Sequence, residues 1–144
     1  MKQSGFTLLE VLVAMLVLSI GLLGLAGLMA SSMRNNQSAY HSTQATWLAY
    51  DILDRIRANR AGALAGGYSA ALSSPACSTA APSGSIAAQD IGGWKNMIAC
   101  ALPEGDGSIT VTPANSRVRV IVQWNDSRGT GGLANQQLTV ESQL

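Results

Sequence analysis

Apolar residues run without a single charge from Val11 to Met33, and one acid, Glu10, stands at the start of the run. As an α-helix rising about 1.5 Å per residue, this run would be roughly 35 Å long, against about 30 Å for the hydrocarbon core of a bilayer. The pattern therefore predicts a helix of membrane-spanning length. Glu10 is unusual in that position, because a carboxylate inside lipid costs roughly 2.5–3.5 kcal/mol.

The helical pattern continues beyond the apolar run, where the composition becomes polar. No Pro or Gly occurs between residues 28 and 61, and Asp51 precedes Arg55 by four positions, the order that favours a helical ion pair. Apolar residues recur there at three- and four-residue spacing: Ala45, Leu48, Ala49, Ile52, Leu53 and Ile56. We expect one long helix from about Phe6 to about Asn59, apolar in its first half and amphipathic in its second.

A basic cluster, Arg55, Arg57 and Arg60, ends the predicted helix, and Gly62 follows as a plausible terminator. Basic side chains suit the negative end of the helix dipole. The same cluster is also compatible with a patch for nucleic acid or lipid headgroups. We favour the solvated helix end, which is the more common case.

Residues 61–89 are rich in Ala, Gly and Ser and carry no charge, which indicates an irregular loop. We expect Tyr68, Leu72 and Cys77 to hold this loop against the rest of the protein. A short helix is predicted after it, with Asp90 as the N-cap and one apolar face made of Ile91, Trp94, Ile98 and Ala101.

The last third of the chain alternates apolar and polar residues in the manner of β-strands. Three strands are predicted, at residues 109–112, 117–124 and 137–141, and the second places Val118, Val120, Val122 and Trp124 on one side. Strands joined by short links favour an antiparallel meander whose apolar face covers the helix. The expected fold class is α+β, a long N-terminal spine helix packed on a small antiparallel sheet with an irregular loop between them.

Two cysteines, Cys77 and Cys100, offer a further support for a small core. A disulfide between them would close a loop of about 24 residues, worth roughly 3 kcal/mol in the chain-entropy model. Oxidation is expected if this part of the chain lies outside the cytoplasm. A metal site is a poor rival, since two Cys and one His without close spacing fall short of a tetrahedral set.

Composition argues against several classes of function. The formal net charge is +1, so no general basic field favours nucleic acid. His41 is the only histidine, and no nucleophile–base pair or phosphate-binding loop is present, so we expect no enzyme and no cofactor. We also expect no metal, because Asp106 and Asp126 supply too few ligands for calcium.

Three interpretations compete for the N-terminal segment. A secretory signal cut near Ala30-Ser31-Ser32 fits Lys2 but not an acid at the start of the apolar core. A plain single-pass anchor explains Thr7 and Glu10 as a capping box at the helix start. It does not explain the Gly-Phe pair directly before them.

The third interpretation takes the segment Gly5-Phe6-Thr7-Leu8-Leu9-Glu10 as a whole, because it resembles the class III leader of type IV pilins and pseudopilins. The resemblance implies that a prepilin peptidase cuts after Gly5 and methylates the new amino terminus of Phe6. It divides the chain into a leader (1–5), a membrane or filament-core half of the spine helix (6–33) and a periplasmic or extracellular head (34–144). We favour this interpretation.

Under this resemblance Glu10 acquires a role in subunit assembly. Cleavage creates a positive amine on Phe6, and a buried amine and a buried carboxylate are each costly alone but offset much of that cost when paired. Our hypothesis is that Glu10 of one subunit pairs with Phe6 of its neighbour and fixes their register.

Further segments resemble the minor pilins within this family: 54–62, Trp94 ahead of Leu102-Pro103, and Trp124-Asn125-Asp126. The resemblance implies a low-abundance subunit of a complex that starts pilus assembly and supports twitching motility and adhesion. Its partners would be other minor pilins, the major pilin, a tip adhesin and the prepilin peptidase, with no nucleic acid directly implied. It would reside in the inner membrane with its head in the periplasm, then at the pilus tip. The alternative is a minor pseudopilin of a type II secretion system.

Overall fold

The protein is described by a computed structural model, which covers Gly5 and residues 7–144. Its elements are, in chain order, α1 (Leu8–Ala58), α2 (Arg60–Leu64), α3 (Ile86–Ala101), β1 (Asp106–Thr112), β2 (Arg117–Trp124) and β3 (Gln136–Gln143). The strands form one antiparallel sheet in the order β1-β2-β3. The predicted α+β class is confirmed, with a long N-terminal helix against a three-stranded antiparallel sheet, consistent with a type IV pilin fold.

The 51-residue helix α1 has Thr7 as its N-cap and Asn59 as its C-cap. The Glu10 amide donates to Thr7 Oγ1 over 3.3 Å, which satisfies one of the unpaired amides of the first turn. At about 1.5 Å per residue the helix is roughly 76 Å long. The predicted single helix is confirmed over the described residues, and its predicted start at Phe6 lies outside them.

Gly62 does not terminate α1 as predicted. The last residue of α1 is Ala58, and Asn59 is its C-cap. The Asn59 side chain accepts a hydrogen bond from the Gly62 amide over 3.3 Å and so caps the short helix α2. The reason is that Asn side chains bond readily to nearby backbone groups. Asn59 therefore follows the end of α1 and at the same time caps the start of α2.

The amphipathic half of α1 supplies one side of the hydrophobic core. All six residues of its predicted stripe are buried, as are the four predicted apolar positions of β2. The core also takes Tyr68 from the loop and Trp94 and Ile98 from α3. The helix is therefore clamped between α3 and the inner face of the sheet, as the alternating patterns predicted.

Helix α3 starts earlier than predicted. Its N-cap is Ser85, whose hydroxyl accepts from the Ala88 amide over 3.2 Å, and the helix begins at Ile86. Asp90, the predicted cap, lies inside the helix and bonds to residues of other elements. A tertiary use of its carboxylate outweighed its preference for a helix start.

The loop over residues 65–85 is held by two of the three predicted residues and by one contact that was not predicted. Tyr68 is buried as predicted, but Leu72 is 44% exposed and does not anchor the loop. Ala70 instead forms a two-bond bridge with Ile109 of β1, at 2.8 and 3.0 Å. Cys77 is joined to Cys100 of α3 by a disulfide, the pair considered from the sequence.

Gly107 lies directly against the core indole of Trp94. A Cβ at this position would come within 2.3 Å of Trp94 Cη2 and 2.8 Å of Ile98 Cδ1. Since Trp94 is fully buried, it has no room to move away. The start of β1 therefore requires glycine for packing.

We expect Gly107→Ala to lower the free energy of unfolding by about 1–3 kcal/mol or more, because the added methyl group overpacks the core. Gly93→Ala is the matched control: its Cβ would meet only Pro82 Cγ at an ordinary 3.7 Å, inside α3. It should stabilise the protein by up to about 1 kcal/mol through helix propensity. Urea unfolding followed by tryptophan fluorescence measures both, and equal effects of the two variants would contradict the packing argument.

Candidate functional site

The largest feature not used by the protein's own core is the apolar half of α1, residues 8–33. Every residue from Leu8 to Ala30 is exposed to solvent. The helix is long and apolar enough to cross a membrane, a test that signal sequences near an N-terminus also pass. Contiguous apolar surface of this size is covered by lipid or by partner helices in a functioning protein.

Glu10 lies in the first turn of this surface, and Arg34 is the next charged residue along α1. Its backbone is tied to Thr7, which is half of the predicted capping box. Within the described residues, no ion pair involves the Glu10 carboxylate. The Glu10 side chain is exposed on this apolar surface.

The first core residue of α1, Ala45, is 35 positions beyond Glu10, which is about 52 Å along the helix. Glu10 is therefore remote from the fold of the head. Gly5 is exposed, and Phe6, the predicted site of cleavage, methylation and assembly, lies outside the described residues.

A hydrogen bond between Ser38 and Asp126 ties the head to the middle of α1. Ser38 Oγ donates to Asp126 Oδ2 over 2.5 Å, and Asp126 is only 7% exposed. Backbone bonds from Gly129 to Asp126 and from Asp126 to Leu133 close the loop around that carboxylate. Asp126 thus serves as a loop anchor, and the described residues hold no cluster of three or more His, Cys, Asp or Glu suited to a metal.

A second tie joins α3 to α1 inside the core. The indole nitrogen of Trp94 donates to the carbonyl oxygen of Leu48 over 2.8 Å. The buried indole is satisfied in this way, and its ring fixes the position of α3 on the amphipathic half of the spine.

Asp106 and Lys95 form the most enclosed ion pair among the described residues, 3.2 Å apart with side chains 5% and 12% exposed. Burial acts to raise the pKa of Asp106, but donors from the Ser74, Ser73 and Gly107 amides and from Lys95 together leave that pKa below its ordinary value. Lys95 also donates to Ser73 Oγ and to the Ala71 carbonyl. The pair therefore fastens the irregular loop to both α3 and β1.

A third network fixes the end of α1. Tyr68 Oη donates to Asp90 Oδ2 over 2.5 Å, and Arg55 lies 3.4 Å from Asp90 and 3.0 Å from Asp51. Burial, and next the bond to Asp90, raise the pKa of Tyr68. The hydrogen bond to Asp51 is the largest cause that raises the pKa of Arg55, and burial opposes it. With both pKa values raised, Tyr68 is neutral and Arg55 is charged at neutral pH.

The arginines at the helix end contact the sheet. Arg57 pairs with Asp54 at 2.9 Å and donates to Ser142 Oγ at 2.7 Å, while Arg60 reaches Ser116 Oγ at 3.5 Å. His41 packs edge-on against Tyr40, with ring centroids 5.8 Å apart. The arginine contacts attach the end of α1 to the head, whereas the contact of His41 with Tyr40 lies within α1.

Sequence reasoning did not find the Lys95–Asp106 pair, the network around Asp90, or an exposed row of aromatic residues on α1. Lys95 is the only lysine among residues 34–144, and that rarity is the signal that could have marked it. Asp106 was considered only as a calcium ligand, because nothing in one sequence shows which backbone amides converge on a carboxylate.

We expect Asp106→Asn to lower the free energy of unfolding by about 1–3 kcal/mol at neutral pH, because three amides and Lys95 lose a charged acceptor. The folded-state pKa of Asp106 is depressed, so its contribution is present above the unfolded pKa of about 3.9 and is lost as pH falls through the folded value. Urea melts at several pH values should therefore show the wild-type and variant curves converging at the acid end.

The control for this prediction is Glu104→Gln, which removes an exposed acid two residues away. It should change stability by less than about 0.5 kcal/mol at any pH. Parallel stability curves for wild type and Asp106→Asn across the acid range would contradict the assigned role of Asp106.

Comparison with known protein families adds one finding to this geometry. Residues 1–26 match the family described as the prokaryotic N-terminal methylation motif, so the match covers Gly5, Phe6, Glu10 and most of the apolar half. Neither the curated proteins nor the solved structures gave a match to the chain. The chain thus carries the N-terminal methylation motif of a pilin-type prepilin leader ahead of a long apolar helix, and this motif indicates a type IV pilin or pseudopilin anchored in the membrane before assembly.

Proposed function

We propose that this protein is a minor pilin of the type IV pilus, of the PilV type, acting as a non-catalytic subunit of the complex that starts assembly and sits at the pilus tip. The observation that carries the proposal is the exposed apolar half of α1, which has Glu10 in its first turn and lies largely within the methylation motif of residues 1–26. Such a helix needs lipid at one stage and partner helices at another.

The proposed maturation is cleavage of the peptide bond between Gly5 and Phe6, followed by methylation of Phe6. Cleavage after Gly5 converts the amide of Phe6 into an amine, which is then methylated and remains positively charged. In lipid or in a filament core this amine and the Glu10 carboxylate are each poorly solvated, so pairing between subunits relieves both. Glu10 thereby selects the axial position in which a new subunit docks.

We propose that the protein first resides in the inner membrane, with its head on the periplasmic side, and later at the pilus tip. The Cys77–Cys100 disulfide supports a head outside the cytoplasm, where disulfides persist. Neighbouring minor pilins, the major pilin and a tip adhesin are the proposed partners, and twitching motility and adhesion are the proposed processes. The segments that favour the PilV type are 54–62, Trp94 with Leu102-Pro103, and Trp124-Asn125-Asp126.

Mass spectrometry of the protein from its native host tests the maturation step. We expect the mature chain to begin at a singly methylated Phe6. A chain that still begins at Met1, or that begins beyond residue 30, would contradict the proposal. Detection in sheared pili, as opposed to loss of secreted enzymes when the gene is deleted, separates the minor pilin from the alternative, a minor pseudopilin of a type II secretion system.

We expect Glu10→Ala to reduce incorporation into sheared pili roughly tenfold or more, because the neighbouring amine loses its buried partner. The head should melt as in the wild type, since Glu10 is far from the core. Quantitative immunoblots of pili and membranes measure the ratio.

Ser19→Ala is the matched control for Glu10→Ala. It also removes a polar group from the exposed apolar half, but its hydroxyl is already satisfied by the Met15 carbonyl at 2.7 Å in the same helix. Incorporation should be close to wild type. Equal incorporation of wild type and Glu10→Ala would refute the role of Glu10.

A further inference from the structure

Two arginines share a small cleft at the junction between the apolar half of α1 and the head. Arg34 ends the uncharged run of α1, and Arg128 belongs to the loop between β2 and β3. Both line the same cleft, which has a volume of about 30 Å³ and which we call the junction cleft. Its other polar lining residues include Gln37, His41, Asn125 and Asp126.

The loop that carries Arg128 is fixed against α1 close to Arg34. Ser38 donates a hydrogen bond to Asp126 over 2.5 Å, and a Cβ on Gly129 would lie 3.2 Å from the Cβ of Ser38. Ser38 is four residues beyond Arg34, which is about 6 Å along the helix. Arg128, directly before Gly129, is therefore held about one helical turn above Arg34.

The charges of the two arginines are not used by the head itself. Neither Arg34 nor Arg128 forms an ion pair within the part of the chain that the structure describes, and both are exposed. The carboxylate of Asp126 also lines the cleft, but it is 7% exposed and accepts the bond from Ser38. Two bases against one enclosed acid leave the junction cleft positive.

The junction cleft also contains a nitrogen atom without a partner. His41 Nδ1 is buried, and among the described residues it makes no hydrogen bond. Buried polar atoms in folded proteins are almost always hydrogen-bonded to protein, water or a ligand. The polar lining of this cleft is therefore not closed by the protein's own groups.

The junction cleft lies at the height of the membrane interface when the apolar half of α1 spans a bilayer. The headgroup region extends roughly 5–8 Å beyond each side of a hydrocarbon core of about 30 Å, and the uncharged run is roughly 35 Å long. Arg34 follows this run directly, and the loop with Arg128 is about one turn further on. Lipid phosphates are therefore the anions that both guanidinium groups meet.

We propose that Arg34 and Arg128 together bind the headgroup phosphate of one anionic phospholipid. A guanidinium group presents paired N–H donors that match two phosphate oxygens. A zwitterionic headgroup would bring a second positive charge to a cleft that is already positive, so an anionic lipid is favoured. The bound lipid attaches the head to the membrane surface on the side of α1 that carries the loop.

The test titrates the full chain, in a nonionic detergent, with phosphatidylglycerol and counts bound lipids by native mass spectrometry. A basic residue at an anionic lipid surface contributes about a factor of five, so Arg34→Gln and Arg128→Gln should each weaken binding of the first lipid roughly fivefold. The double variant should lose less than the product of roughly twenty-five-fold, because two groups on one phosphate are coupled.

Arg117→Gln is the matched control for the two cleft variants. Arg117 is also exposed and outside the ion pairs of the described residues, but it lies at the opposite end of β2 from the cleft, roughly 23 Å from Trp124. This variant should bind phosphatidylglycerol like the wild type, and phosphatidylcholine should bind all variants alike. Thermal melts of the variants should match the wild type, because the substituted side chains are exposed.

Three results would overturn the lipid site: equal affinity for phosphatidylglycerol and phosphatidylcholine, an equal loss in Arg117→Gln, or fully multiplicative losses in the double variant. A diffuse positive surface predicts the last two. Displacement of phosphatidylglycerol by millimolar inorganic phosphate would contradict the lipid as occupant and indicate a free anion. The site needs only a membrane-anchored chain, so it stands or falls separately from the minor-pilin role, which the sheared-pili experiment tests.

Discussion

The burial of one stripe of α1, from Ala45 to Ile56, is the interaction on which the rest of the structure depends. A helix of this composition gains little from propensity alone, and its polar half would fray in water without a partner. Helix α3 and the inner face of the sheet cover that stripe and nothing before it. As a result the same helix is a core element at one end and an exposed rod at the other.

Polar contacts then make a small core specific. The Trp94 indole on the Leu48 carbonyl, the Lys95–Asp106 pair and the Ser38–Asp126 bond each join two elements that are distant in sequence. Each donor or acceptor would be costly if buried alone, so each fixes one arrangement of the packed elements. The disulfide adds a covalent tie at the loop, whose own residues are too small to hold it.

The division of α1 also separates the fold of the head from the apolar half of the helix. The head is complete without the apolar half, and Glu10 is about 52 Å from the first core residue. The fold of the head therefore does not depend on what surrounds the apolar half. The face of α1 that points away from the head carries the exposed residues Tyr40, Trp47 and Tyr50.

Much of the fold was predictable from local pattern. The long helix, the three strands and the buried face of β2 follow from periodicity, because burial of one face imposes a period of 3.6 or 2 on the residues themselves. The start of α3 could not be predicted from local pattern, since Ser85 and Asp90 are both good caps. Only the tertiary bonds of Asp90 decide between them. Leu72 was wrongly assigned to the core for a similar reason: in an irregular loop no period indicates which side chain points inward.

Some features of the candidate site were also predictable from the sequence, and others were not. The sequence by itself determined the N-terminal methylation motif, the position of Glu10 and the apolar length of the helix, because these are properties of consecutive residues and of transfer to lipid. Only the tertiary structure decided which side of α1 is covered by the head, and therefore that Tyr40, Trp47 and Tyr50 remain exposed. The physical reason is that an aromatic residue on a helix suits a core and an interface equally well, and only the position of the other elements distinguishes the two.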